Sequence, residues 1–136
     1  AEAVRLAREA FADVVVDLED CFHPEQCAVL EQATTVFLVC RLDFTAVRNT
    51  RRVLDHLAAR GVPRDRIEVV VNQARQANEL PVAEAEVALG VKLARFVPHD
   101  PGVIGWANNT GIPAAVKEPE SAVVQAIARL VGLETP

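Results

Sequence analysis

Four short runs rich in valine and other apolar residues recur along the chain: DVVVDL at 13–18, TVFLVC at 35–40, IEVVVN at 67–72 and LARFV at 93–97. Each shows only weak in/out alternation, the pattern of a strand covered on both faces. Between them lie segments with helical spacing. In the clearest, Phe44 to Arg60, Phe44, Val47, Leu54, Leu57 and Ala58 fall on one face, and Arg48, Arg51, Arg52 and Asp55 fall elsewhere. Asp43 or Thr45 can accept the first free N–H groups of that helix, and Gly61 followed by Pro63 ends it. Further helices are predicted from Pro24 to about Ala33, from Pro81 to Gly90, from Asp100-Pro101 to about Asn109, and from Pro119 to Val131. An N-terminal helix carries Val4, Ala7 and Phe11 in register. Parallel neighbours need a crossover, almost always right-handed, so strand–helix alternation predicts an α/β architecture. The expectation is a parallel sheet of about four strands with helices on both faces, binding ligands at the carboxyl ends of its strands.

A chain of 136 residues supports one core, and no Gly/Ser linker, repeat or low-complexity tract divides it. With 51% hydrophobic and 24% charged residues, intrinsic disorder is excluded. No apolar run approaches the roughly 18–20 residues of a membrane-spanning helix, and the first residues lack a signal-peptide core, so a soluble, cytoplasmic protein is expected. A net charge of −5 argues against a mainly electrostatic nucleic-acid binder. Cys21, Cys27 and Cys40 cannot all pair within one chain and match no four-ligand zinc pattern, so they are expected to be reduced thiols. His23, His56 and His99 have no ligating companion at motif spacing and are not assigned to a metal.

At the predicted strand ends the chemistry becomes specific. Asp17, Glu19 and Asp20 follow the first run, and carboxylates this close repel one another unless a cation or good solvation offsets them. Mg²⁺ bound through one or two carboxylates or their waters would fit; so would an acidic loop that caps the helix starting at Pro24. Asn72 ends the third run. Its amide offers donor and acceptor together, which suits the edge of adenine, although asparagine here also serves as a turn former. Pro98 fixes the chain leaving the fourth run. Arg41, Arg48, Arg51, Arg52, Arg60, Arg64 and Arg66 crowd one segment. The hydrated face of a helix is the favoured reading of them, ahead of a docking patch for DNA or an anionic membrane.

Taken in order, VVVDLEDCFHPE (14–25), Arg48-Asn49, VVVN (69–72), VPHD (97–100) and WANNTGIP (106–113) resemble the C-terminal half of the MinD/ParA-type (deviant Walker) ATPases, and among them the CpaE/TadZ pilus-assembly ATPases. The likeness is nearly collinear over residues 13–132. It implies a partial P-loop NTPase (SIMIBI-type) fold lacking the P-loop strand, with residues 1–136 forming the C-terminal portion of the ATPase domain. It places Asp17 on the aspartate that contacts Mg²⁺ through water and Asp20 on the second acidic position of a switch-like loop. Asn72 falls on the adenine-recognising asparagine, and Pro98 and Asp100 on the loop passing near the base. It also implies ATP and Mg²⁺ as cofactors of the intact parent, a homodimer or other self-association, and partners in pilus assembly or polar localisation.

Several positions depart from the family pattern. Glu19 stands where many relatives have proline, and Gln73 where arginine often follows the asparagine. No GxxxxGK[ST] loop exists in these residues, so neither bound nucleotide nor hydrolysis is expected of this chain alone. The missing strand would lie between 13–18 and 35–40, which are expected either to pair directly or to leave a slot for another chain. A non-catalytic scaffold for localisation and dimerisation is the alternative for the parent. A phosphorelay receiver, suggested by ADVVVDLED, lacks its companion residues: lysine occurs only at Lys92 and Lys117, neither where a receiver needs one.

Overall fold

A computed structural model describes residues 2–19 and 21–132. Three of the four predicted strands form: β1 (Val36–Cys40), β2 (Ile67–Ala74) and β3 (Arg95–Pro98). They make one parallel sheet in the order β1-β2-β3. Seven α-helices accompany them among the described residues: α1 (Glu2–Ala10), α2 (Pro24–Gln32), α3 (Phe44–Ala59), α4 (Val82–Leu89), α5 (Pro101–Thr110), α6 (Ala114–Lys117) and α7 (Ala122–Leu130), with a 3-10 turn at Arg64–Arg66. The prediction of an α/β parallel sheet holds; its fourth strand does not. Residues 13–18 have no regular secondary structure and join no ladder among the described residues, and Val15 is 88% exposed. Valine-rich sequence favours extended backbone, but a strand exists only when a neighbour takes up its N–H and C=O groups.

The period-two alternation of β2 divides the apolar side chains between two cores. Ile67, Val69 and Val71 point to one face, where Val47, Leu54 and Leu57 of α3 and Ala85 and Leu89 of α4 close over them. Val70 points to the other and meets Val97 of β3 with Val123 and Ala126 of α7, flanked by Val103 and Ile104 of α5. Helices therefore cover both faces of β2. Residues of β1 on the first face are covered, whereas Phe37 and Val39 on the second are 37% and 58% exposed.

The helix punctuation follows the sequence signals. Asp43 caps α3, its carboxylate accepting from Ala46 N at 2.9 Å, and Gly90 and Gly111 end α4 and α5 in left-handed conformation (φ 68° and 69°). The Ala46 N–H, followed by the Arg41 guanidinium, holds the Asp43 carboxyl below its ordinary value. A depressed carboxylate pKa stabilises the fold fully above the unfolded value near 4, and the contribution is lost as pH falls through the folded value. Asp43→Ala is therefore expected to cost about 1 kcal/mol at neutral pH, the usual worth of an N-cap, and progressively less below pH ~4. Urea unfolding of both proteins across that range checks it; a pH-independent difference would place the effect elsewhere.

Candidate functional site

The carboxyl ends of β2 and β3 meet in a built corner. Ala74 pairs with Pro98, and His99 N donates to Ala74 O at 2.9 Å, so the chain leaving β3 is tied to the chain leaving β2. An irregularity in the ladder between Val71 and Ala74 contains Asn72 and Gln73, the latter at φ 55°. Arg75 and Asn78 also have positive φ (73° and 64°). Three non-glycine residues in left-handed backbone within so short a loop need holding, since each costs free energy that its surroundings must offset. Glu79 provides the hold: its carboxylate accepts from Arg75 N at 3.1 Å and Gln76 N at 3.0 Å. Leu80 N then donates to Leu42 O at 2.8 Å, fastening the loop to the chain beyond β1.

Within this corner Asn72 is half-buried and its Oδ1 accepts from Gln73 N at 2.9 Å. That bond uses one lone pair and orients the amide, while Nδ2 makes no hydrogen bond to any described residue. Pro98 is half-buried in the adjacent strand end. Asp100 is the N-cap of α5, accepting from Val103 N at 3.0 Å ahead of Pro101. The structure thus places Asn72, Pro98 and Asp100, three of the five predicted site residues, at or just beyond the adjacent carboxyl ends of β2 and β3. Glu79, which sequence reasoning missed, carried no signal beyond being one acid in a polar loop.

Asp17 lies in the irregular segment before α2, exposed and without a hydrogen-bond partner among the described residues. Asp20 lies outside the described residues. Among the described residues no group of three or more His, Cys, Asp or Glu is placed to hold a metal ion. Judged against Mg-ATP, the corner suits a base edge through the spare Asn72 amide donors. The triphosphate finds no glycine-rich loop in these residues.

Several of the remaining candidates settle into structural roles. Arg41 pairs with Asp43 at 2.9 Å, Arg51 with Asp55 at 3.0 Å, and Arg64 donates to Ile67 O at 2.7 Å. Arg60 donates to His56 Nε2 and to Cys27 Sγ, while Phe22 stacks on His56 at 3.8 Å, pinning α2 to the end of α3. All three cysteines are free thiols; burial pushes the Cys40 thiol up, with the Thr50 hydroxyl opposing it. Lys117 sits 4.1 Å over the Trp106 ring, joining α6 to α5. No helix of the described residues is long and apolar enough to cross a membrane.

No family model and no curated protein matches the sequence. Solved structures do match in fold. A ParA family ATPase from Chlorobium tepidum TLS superposes with a TM-score of 0.86 at 19% identity, over 93% of this chain and 53% of that one. The cell division ATPase MinD of Pyrococcus furiosus gives 0.76 at 24% identity, over 95% and 54%. The septum site-determining protein MinD of Pyrococcus horikoshii OT3, complexed with Mg-ADP, gives 0.74 at 22% identity, over 98% and 57%. The fold is of the ParA/MinD P-loop NTPase type, and the chain spans about half the length of these structures.

Proposed function

We propose that this chain is the base-binding half of a ParA/MinD-type nucleotide switch, of the CpaE/TadZ kind that serves Flp/Tad pilus assembly and polar localisation. The observation that carries the reading is the corner where Asn72, Pro98 and Asp100 converge at the carboxyl edge of a sheet whose fold matches a ParA family ATPase at a TM-score of 0.86. In the intact parent, the Asn72 amide would read the adenine edge and Pro98 and Asp100 would shape the loop beside it. Asp17 and Asp20 would hold water on Mg²⁺. Phosphate binding and any hydrolysis belong to parts of the parent outside these residues, as does a nucleotide-dependent homodimer. The MinD complex with Mg-ADP supports that choice of cofactor.

Calorimetric titration of Mg-ATP into this chain is expected to show no micromolar binding, because the phosphates carry most of the charge a site can grip and find no loop here. Saturable micromolar binding would overturn the division of labour. In a parent that supplies a glycine-rich lysine loop, Asn72→Ala is expected to weaken ATP binding about tenfold and to erode ATP-over-GTP preference, since a site built for one base edge loses its discrimination with that contact. Unchanged preference would remove Asn72 from the base. Absence of nucleotide binding by the parent would favour the scaffold reading.

A further inference from the structure

An asparagine amide can be turned two ways about its last torsion, and only one of them suits adenine. Adenine offers an amine N–H beside a ring nitrogen that accepts, so Oδ1 must face the amine and Nδ2 the ring nitrogen. Guanine carries a carbonyl oxygen in place of that amine. Oδ1 would then meet a second acceptor, and the base fits only if the amide turns over. At Asn72 the turn is blocked. Its Oδ1 accepts from Gln73 N at 2.9 Å, and a turned amide would set its NH2 against that same N–H, leaving two half-buried donors face to face.

What keeps the Gln73 N–H in place lies further along the loop. Gln73 has φ 55°, a conformation that a non-glycine residue leaves unless it is held. Gln76 reaches back to it, Nε2 donating to Gln73 O at 3.0 Å and to Gln73 Oε1 at 3.3 Å. The backbone of Gln76 is fixed in turn, with that of Arg75, by N–H bonds to the two carboxylate oxygens of Glu79 at 3.0 and 3.1 Å. Glu79 precedes Leu80, whose N–H is tied to Leu42 O at 2.8 Å, so the far end of the loop is anchored beyond β1. We infer that Glu79 and Gln76 are positioning residues that set the base specificity of this corner. Acting through the Gln73 N–H, they lock the Asn72 amide in the orientation that takes adenine and refuses guanine. The inference rests on the base-binding reading above and gives it a determinant that acts through Asn72 and not on the base.

The first test uses this 136-residue chain without nucleotide. By nitrogen-15 relaxation the Asn72 side-chain amide is expected to be as rigid as the backbone of β2. It should loosen in Glu79→Ala and in Gln76→Ala, its order parameter falling below about 0.6. Gln76 is exposed and its side chain bonds only to Gln73 among the described residues, so Gln76→Ala keeps the fold even where Glu79→Ala disturbs the loop. An amide equally rigid in all three proteins overturns the inference, whatever the parent binds. The second test uses a nucleotide-binding parent. Each variant is expected to lower the ATP-over-GTP preference about tenfold, the scale of one correctly paired base edge. GTP binding should tighten as ATP binding weakens, because a freed amide can turn to either base. A merely structural lesion would weaken both nucleotides alike, and that result overturns the inference. So does a preference that Asn72→Ala erodes and both variants leave intact, in which case the base reading itself stands. A preference unchanged by Asn72→Ala removes the base reading and this inference with it.

Discussion

Leu57→Ala is expected to lower the unfolding free energy by about 3 kcal/mol, within the ~2–5 kcal/mol range for a buried leucine cut back to alanine. Leu57 is 2% exposed and sits at the centre of the first-face core. It also borders a small void of about 10 Å³ lined by Phe22, Cys27, Leu30, Glu31, Arg60 and Val62. The neighbours that could move into the vacated space are already held: Arg60 is fixed to His56 and Cys27, and Phe22 is stacked on His56. Collapse is therefore hindered, and the penalty grows with the cavity that remains. Against a total stability of roughly 5–15 kcal/mol for a domain, such a loss is a large fraction. Urea unfolding should show the midpoint falling with an unchanged slope. A loss under about 1 kcal/mol would mean that α2 swings in to refill the site.

How much of this was legible in the sequence depended on whether the deciding interaction was local. The valine runs at 35–40, 67–72 and 93–97 became β1, β2 and β3 because each has a neighbour in the sheet. DVVVDL has the same composition and became no strand, because pairing is a property of two segments and composition describes one. Caps were readable for the opposite reason: Asp43 and Asp100 act on N–H groups three residues away. The four-residue α6 (Ala114–Lys117) was missed, being too short to display a period. The left-handed backbone at Gln73 and Arg75 was equally hidden. Neither residue type signals it, and the Glu79 carboxylate that compensates it lies beyond the loop's tightest part. In the candidate site, Asn72 drew attention by its strand-end position, and Pro98 and Asp100 through the resemblance. The orientation of the Asn72 amide by Gln73 N could be seen only in the structure.

The two faces of the sheet differ in size, and Val123→Asp exploits that difference. On the second face Val123 is 2% exposed and shares its core with only Val70, Val97 and Ala126 as other buried members, against thirteen buried residues on the first. A carboxylate there has no cationic partner in the cluster, so burying it costs several kcal/mol or forces the helix away from the sheet. Detachment is the cheaper outcome, because α7 is held mainly against β3. Hydrogen exchange is therefore expected to reveal lost protection throughout α7 and weakened protection in β3, while α3 and β2 keep theirs. Uniform loss across the chain would instead mean that the two cores unfold as one unit. The consequence reaches the candidate site, because Val97 is the residue through which α7 braces β3, and Pro98 and Asp100 follow directly from it. A helix far in sequence from Asn72 thus fixes the position of the chain leaving β3, which His99 N ties to Ala74 O at the end of β2.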